Sequence, residues 1–507
     1  SCSDFLDEDA TSFLSSEAIY ASNDGTESAL TGAYSGLGNY NYFPSGFLNL
    51  VSAASSAMFT NHADSRDLLL SPLPTNKYLN DSYTDIYDAI NRANDVIFNV
   101  QQGGARQDVK NKVEGEARFL RALSYFNLVR LIGGVPLRNA PTTSSTLHLP
   151  RASKEDVLAL IISDLEKAGE LMPEQNIKGR PNRYAAYALL AKVYLTMADG
   201  VPGSEYWSKA LAEAKKVEGK YSLVPLSELY NARNTNTRES IFEVQLSVAA
   251  GRGWYWTRLI APPNSNHTPT ATSNPYARLR PTKYIFDTFR SQYPGDPRID
   301  ETFIYNSYRQ RTGTTVIQTY PNIDPTLTGT NKARERFPYT RKFIDPQFTA
   351  SGTNSNFIYL RYADVLLMLA EAENEVNGPA GAYVYVNQIM KRARESVTPN
   401  SAVPADWSDM TQEEFRRRIM QERMFELWGE QHEYFDLRRR GTSYFLDYIR
   451  RHNAHPNNDY NTPSADYNDI VYPETEEYAK RAMLLPFPSG EINSNENISD
   501  EDQNYGY

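Results

Sequence analysis

The 507-residue sequence predicts a mainly α-helical protein in which tetratricopeptide-like helix pairs scaffold an irregular, loop-rich lobe with a few short strands. Apolar residues recur at helical spacing over residues 25–235 and again from residue 358, as in amphipathic helices. Between these regions, residues 236–357 are dense in proline, glycine, asparagine and aromatic side chains. That stretch is too long for a simple linker and too aromatic for a disordered segment, so we expect an ordered insertion.

The first helical region contains clear start and stop signals. Residues 114–131 carry apolar side chains at helical spacing, and Gly133 before Pro136 predicts the helix end. Ser153 begins a capping-box pattern and opens a second helix that we expect to reach about Leu171.

A pair of helices in the same region resembles a tetratricopeptide repeat unit. Residues 183–197 and 206–217 are both amphipathic, and a glycine-containing break at 200–203 separates them. Alanines occupy positions at which two helices must approach closely, but the repeat period is not regular along the chain.

The second half changes character twice. Ile241–Leu246 roughly alternates apolar and polar residues and predicts a short strand inside the insertion. Apolar residues of 365–376 share one helical face, and a capping box at Thr411 predicts a charged helix through Trp428. From about residue 450 proline, asparagine, tyrosine and aspartate are again frequent, which predicts an irregular C-terminal segment.

Cys2 is the single cysteine, so an intrachain disulfide and a cysteine-ligated zinc site are excluded. Its place at the start, before an acidic stretch, is typical of the mature N-terminus of a bacterial lipoprotein, and we expect Cys2 to carry lipid. The alternative is a chance cysteine in a disordered tail.

Together these patterns predict the organisation of the chain. We expect a tether over 1–24, a helical scaffold with an early ligand loop over 25–235, a ligand-binding insertion over 236–357, and a helical return with an irregular C-terminal segment over 358–507.

Charge and motifs exclude several classes of function. The net charge of −10 argues against a nucleic-acid partner, which needs an excess of lysine and arginine. No apolar stretch approaches the length of a membrane-spanning helix. Metalloprotease, nucleophile-elbow and phosphate-loop motifs do not occur, so we expect no enzymatic activity, no cofactor and no metal site. Asp459, Asp466 and Asp469 are possible oxygen ligands for a structural calcium ion, but their spacing matches no EF-hand, and solvated acids are the alternative.

Several segments, in order along the chain, resemble the SusD/RagB family of outer-membrane lipoproteins. They are Glu114–Leu137, Tyr359–Ala372, Glu422–Leu427 with Tyr434–Arg439, and Leu485–Pro488 with Glu491–Asn493, beside the Cys-Ser-Asp-Phe-Leu-Asp start. One position departs from the pattern: the family often has arginine where this chain has Glu433. That change puts the local pairing in doubt but not the assignment.

The resemblance implies about four tetratricopeptide-like pairs and a surface lipoprotein in the outer membrane of Bacteroidota. It also implies a non-catalytic role: capturing oligosaccharides and passing them to a TonB-dependent, SusC-like barrel. The first alternative is peptide capture, as in the RagB branch, and the second is a glycan-active enzyme. In this family the ligand site is built from the early region together with the central insertion.

Sugar binding requires flat aromatic faces for the C–H face of a pyranose and polar groups for its hydroxyls. Trp254 and Trp256 lie between a predicted strand and the proline-rich stretch, and alternate residues of an extended segment share one side. We therefore expect them to form a stacking platform, with Tyr276 and Arg278 in the same lobe. The alternative is that both tryptophans are buried in the core of the lobe.

The early loop supplies the second set of candidate ligand-binding residues, for which the alternative is ordinary loop packing. The set is Phe59, His62, Asp64, Arg66, Tyr78 and Asn80.

Overall fold

The structure is a computed structural model, and it describes residues 15–324, 329–461 and 465–507. The predicted fold class is confirmed, because helices dominate and the longest strands in the described part of the chain have five residues. Cys2 lies outside the described residues.

Nine helices make up the described part of the first helical region. They are α1 Ser16–Tyr20, α2 Asn23–Leu37, α3 Gly46–Ala53, α4 Lys77–Val100, α5 Gln107–Ile132, α6 Lys154–Leu171, α7 Arg183–Met197, α8 Glu205–Val217 and α9 Leu226–Leu229. From α4 to α8 each helix packs on the next along the chain, while α2 lies on α4 and α5. This stacking of neighbours is the arrangement that the tetratricopeptide-like pattern predicted.

The local signals act as expected. The predicted stop at Gly133 ends α5, and the residue has φ +84°, a conformation that glycine adopts without strain. The Ser153 hydroxyl oxygen accepts a hydrogen bond from the Asp156 amide at 3.0 Å and so caps α6. Helix α5 is buried around most of its circumference, which makes it the centre of the scaffold core.

The insertion contains short helices and small antiparallel strand pairs. Its helices are α10 Trp256–Ile260, α11 Lys283–Gln292, α12 Pro297–Thr302 and α13 Gly329–Arg334. The strands, including one from the early loop, are β1 Met58–Phe59, β2 Ser240–Val244, β3 Arg280–Pro281, β4 Phe303–Ile304, β5 Ser307–Arg309, β6 Val316–Gln318, β7 Tyr339–Thr340 and β8 Phe357–Arg361. In the described chain they pair as β1–β3, β2–β8, β4–β7 and β5–β6.

The second helical region closes on the first. Its helices are α14 Tyr362–Asn377, α15 Tyr383–Arg394, α16 Gln412–Glu426, α17 Glu433–Arg438, α18 Thr442–Asn453, α19 Glu476–Arg481 and α20 Ser489–Ser494. Helix α14 packs against α8, α15 and α16, which joins the two helical regions. The predicted capping box at Thr411 is present, but α16 ends at Glu426 rather than at Trp428.

A buried network of charges ties the insertion to the helices. The Arg361 guanidinium, 1% exposed, forms ion pairs with Glu239 at 2.8 Å, Glu426 at 2.8 Å and Glu430 at 2.7 Å. The ammonium of Lys342, which belongs to the insertion, pairs with Glu430 as well. Buried charges are tolerated only when paired in this way, so the network fixes how the lobe sits on α16.

Glu433, the position that departs from the SusD/RagB pattern, is buried at the start of α17. Its carboxylate accepts a hydrogen bond from the Gly429 amide but forms no ion pair with any base in the described chain. Burial raises the pKa of Glu433 to about 7. The local pairing expected of an arginine is therefore replaced by an unpaired acid.

Candidate ligand-binding surface

The pairing of β1 with β3 brings the early loop against the insertion. Phe59 lies opposite Arg280 in this antiparallel pair, so the residues after Phe59 run beside those before Arg280. His62 and Arg278 are neighbours as a result: burial lowers the pKa of the His62 imidazole, and the Arg278 charge lowers that pKa further. The exposed carboxylate of Asp64 has the opposite effect on the pKa of His62.

Four tyrosines collect at this junction, and we refer to Tyr40, Tyr78, Tyr255 and Tyr276 as the tyrosine cluster. The Tyr40 side chain is 54% exposed and that of Tyr276 is 41% exposed, while the other two are half-buried. The Tyr40 ring meets the Tyr255 ring edge-on, with centroids 5.2 Å apart. Burial raises the pKa of Tyr78; the Arg278 charge lowers that pKa, and smaller effects of Asp64 and Tyr40 raise it.

Two arginines flank the Tyr276 ring. The guanidinium carbons of Arg258 and Arg278 lie 4.4 and 4.2 Å from the ring centroid, a cation–π arrangement. Arg258 also donates hydrogen bonds to the Tyr276 hydroxyl and, at 2.8 Å, to the Ala350 carbonyl. Arg278 forms no hydrogen bond or ion pair with another residue of the described chain.

Main-chain hydrogen bonds hold the cluster together. The Tyr255 amide donates to the Pro44 carbonyl at 3.0 Å, which joins the insertion to the turn that carries Tyr40. The Tyr276 amide donates to the Arg258 carbonyl at 2.6 Å. These bonds fix the backbone beneath three of the four rings.

The turn around Tyr40 is anchored to helix α4. The Asn39 side-chain amide donates to Asp88 at 2.7 Å, and the Asn41 main-chain amide donates to Asp85 at 2.8 Å. Tyr40 therefore projects from a turn that is held on both sides.

Trp254 and Trp256 do not form the predicted exposed platform. Their side chains are 2% and 0% exposed, and the two rings stack on each other with centroids 6.1 Å apart. The Trp256 indole N–H donates to the Lys342 carbonyl at 3.1 Å. Both tryptophans are instead buried in the core of the lobe, as the alternative interpretation predicted. The more apolar tryptophans turn inward, and Tyr255 between them turns towards solvent with its polar tip.

Comparison with protein-family models decides the family. The model described as "SusD family" matches residues 238–507, and the one described as "Starch-binding associating with outer membrane" matches residues 4–195. The first of these covers more than half of the chain. The chain belongs to the SusD family.

Individual relatives of this SusD-family protein agree with the assignment. A SusD-like protein of Formosa agariphila is 26% identical over 493 residues, which span 87% of each chain. A SusD-like protein of Bacteroides ovatus is 28% identical over 273 residues, or 48% of this chain and 47% of the relative.

Solved structures show the same fold. A SusD homologue from Bacteroides thetaiotaomicron superposes with a TM-score of 0.77 at 20% identity, covering 97% of this chain and 98% of its own. A structure named "Laminarin binding SusD-like protein" has a TM-score of 0.69 at 22% identity, and the match covers 95% of this chain and 99% of that one.

In the described part of this SusD-family protein, no helix has the length and apolar character needed to cross a membrane.

Three of the predicted early-loop residues are engaged elsewhere in the fold. The buried Phe59 ring stacks on Phe337 with centroids 4.0 Å apart. The Asn80 side-chain oxygen accepts from the Gly490 amide at 2.8 Å, and Arg66 pairs with Asp466 at 2.9 Å. For these three residues the alternative, ordinary loop packing, is what the structure has. Asn80 and Arg66 hold the C-terminal segment, and Phe59 fills a small core.

The acids considered as calcium ligands do not converge on one point. Each forms an ion pair with a different base: Asp459 with Arg336, Asp466 with Arg66, and Asp469 with Lys283. Within the residues that the structure describes, no group of three or more histidine, cysteine, aspartate or glutamate side chains is placed to hold a metal ion.

Sequence reasoning missed Tyr40, Tyr255 and Arg258. A partial signal existed for Tyr255, since the extended segment that the sequence predicts would turn a tyrosine away from the tryptophans on either side, although the chain in fact begins helix α10 at Trp256. Tyr40 follows the turn residues Gly38 and Asn39, which is a weaker indication of exposure.

Proposed function

We propose that this SusD-family protein captures oligosaccharides at the tyrosine cluster. The observation that supports this most directly is the convergence of exposed tyrosine rings from the early loop and the insertion around two arginines. A tyrosine face packs on the C–H face of a sugar, while phenol and guanidinium groups bind its hydroxyls. The solved structure named as laminarin-binding, similar to this chain in fold, also favours a glycan.

A peptide ligand has less support at this surface. Peptides commonly bind by adding a strand to an exposed sheet edge. The strands at the cluster, β1 and β3, have two residues each and pair with each other, which leaves little edge for such a strand.

The proposal extends to location and partner. Cys2 carries the lipid that anchors the chain at the surface of the outer membrane in a member of the Bacteroidota. The tether is shorter than the predicted 1–24 and consists of the residues before α1, because α1 and the start of α2 pack into the helical region, where Tyr20 is buried. The captured oligosaccharide passes to a TonB-dependent, SusC-like barrel, for which the chain acts as a lid. Purification from the native membrane in mild detergent tests the partnership: we expect a large barrel to co-purify, and a free lipoprotein would contradict it.

The binding site is tested by calorimetry against a glycan panel. We expect dissociation constants from roughly micromolar to millimolar, because sugar faces are small and hydroxyl desolvation offsets much of the gain. Tyr276→Ala and Tyr40→Ala should each weaken binding by about 1 to 3 kcal/mol. Tyr505→Ala is the matched control, since Tyr505 is 51% exposed but lies outside the cluster.

Melting curves accompany every variant. Tyr40→Ala should melt close to the wild type, because its side chain is 54% exposed. Tyr276→Ala should melt slightly lower, because it also loses the contacts with Arg258 and Arg278. Wild-type affinity in both variants for a confirmed glycan would refute the tyrosine cluster as the site, and binding of peptides alone would refute the glycan proposal.

A further inference from the structure

We propose that the tyrosine cluster selects an acidic oligosaccharide, one whose sugars carry carboxylate or sulfate groups. This inference rests on the proposed function and names the class of its ligand.

Arg278 is the first observation. Its side chain is partly exposed and its guanidinium carbon lies 4.2 Å from the Tyr276 ring centroid, yet the guanidinium has no hydrogen-bond or ion-pair partner in the described chain. The buried arginines Arg298 and Arg361, in contrast, are each paired with several carboxylates. A guanidinium held by a ring presents its donor fork in a fixed orientation, which suits the two oxygens of a carboxylate or sulfate.

Arg258 adds a second charge at the same ring, with its guanidinium carbon 4.4 Å from the Tyr276 centroid. Its two hydrogen-bond acceptors, the Ala350 carbonyl and the Tyr276 hydroxyl, are uncharged, so its positive charge remains uncompensated. Its Nε atom is buried and has no hydrogen-bond partner among the described residues.

Arg252 brings a third charge to the edge of the cluster. A side chain at Gly38, two residues before Tyr40, would collide with the aliphatic part of Arg252, which places that arginine beside the Tyr40 turn. Its guanidinium has no ion pair with any described residue.

Among the acids at the cluster, Asp64 and Asp85 form no ion pair with a described residue, while Asp88 at the Tyr40 turn is paired with Arg92. Three arginines without an ion-pair partner therefore face two such acids, in a chain whose net charge is −10.

The unpaired charges determine what the site rejects. A neutral sugar that covered Arg278 and Arg258 would remove water from them and return only hydroxyl hydrogen bonds. An acidic sugar supplies the missing counter-charge, and its two anionic oxygens can accept two parallel N–H bonds from one guanidinium, which a single hydroxyl cannot do. The site therefore discriminates by leaving charged donors unsatisfied when the wrong sugar binds.

The test compares three oligosaccharide series of matched length by calorimetry. These are neutral laminari-oligosaccharides, oligogalacturonates for the carboxylate, and carrageenan oligosaccharides for the sulfate. We expect one acidic series to bind at least tenfold more tightly than the neutral series, and raised salt to weaken that binding. Comparing the affinities of the carboxylated and the sulfated series shows which anion the site prefers.

Two substitutions locate the effect. Arg278→Gln should weaken binding of the preferred acidic series by about tenfold or more with little change in the melting temperature, since the side chain loses only its contact with the Tyr276 ring and no hydrogen bond or ion pair. Arg417→Gln is the control, because Arg417 is an exposed arginine of α16 outside the cluster.

The outcomes separate this inference from the proposed function. Neutral glycans that bind as tightly as acidic ones, with affinity lost in Tyr276→Ala but not in Arg278→Gln, would overturn the acidic preference alone. Wild-type affinity of Arg278→Gln for an acidic glycan would overturn it as well. Binding of acidic peptides without any glycan, or of no glycan in the panel, would overturn both proposals.

Discussion

Replacing Glu433 with glutamine should stabilise the protein at neutral and alkaline pH. Glu433 is the buried acid at the position where the family often has arginine, and burial raises its pKa from 4.5 to about 7. The folded chain thus holds this proton up to about pH 7, whereas the unfolded chain releases it near pH 4.5. Stability therefore falls as the pH rises through this window, and the loss is complete above about pH 7.

The size of the effect follows from the shift. One pKa unit corresponds to about 1.4 kcal/mol, so a shift of this extent makes the carboxylate cost roughly 3 kcal/mol of folding free energy above pH 7. Glutamine has no charge to bury, and its side-chain oxygen can still accept the Gly429 amide hydrogen bond. We expect the advantage of Glu433→Gln to grow by about 2 to 3 kcal/mol between pH 5 and pH 8.

The measurement is denaturant unfolding, followed by tryptophan fluorescence, of both proteins across that pH range. The pH dependence is the decisive quantity, because any constant effect of the amide group cancels in it. Glu166→Gln, an exposed change on α6, is the control and should track the wild type at every pH. Parallel stability profiles for Glu433→Gln and the wild type would refute the assignment of a buried, titrating acid.

Three further predictions concern the core, the charge network and the anchor. Trp256→Ala should lower the free energy of unfolding by about 3 to 5 kcal/mol, whereas loss of glycan binding with unchanged unfolding would restore the tryptophan platform. Arg361→Met should lower that free energy by roughly 3 to 5 kcal/mol, because three buried carboxylates lose a partner; a change below about 1 kcal/mol in denaturant unfolding would show that the network contributes little. Cys2→Ala should release the protein from the outer membrane in cell fractionation, and retention after deletion of the barrel would exclude the lipid anchor.

Local signals in the sequence were enough for the helices. The predicted helix 183–197 has the same bounds as α7, and the capping box at Thr411 opens α16 as expected. Such elements are predictable because side chains within a few residues of the helix end determine the cap and the stop. The strand preceding α14 and the six-residue helices α19 and α20 beyond residue 450 were missed, since their apolar patterns are too short to distinguish from loops.

The candidate site was only partly predictable, because it depends on contacts between distant segments. The sequence identified the segment around Trp254 but not which of its faces is exposed, and that choice is made by the core around Phe343 and Phe357. His62 and Arg278 lie roughly 200 residues apart, and only the two-residue pairing of β1 with β3 brings them together. A pairing that short leaves no periodicity to detect.

The buried tryptophans nevertheless bear on binding through the position of Tyr255. Trp256 donates to the Lys342 carbonyl, and the Lys342 ammonium pairs with Glu430, which is in turn held by Arg361. The exposed face of Tyr255 is therefore one residue away from a ring fixed to the helical scaffold. A ligand that meets rings already held in place loses less free energy to ordering side chains, which matters most when each sugar contact is weak. On this reasoning Tyr255→Ala should weaken binding of a confirmed glycan with little loss of stability, whereas Trp256→Ala should lower both.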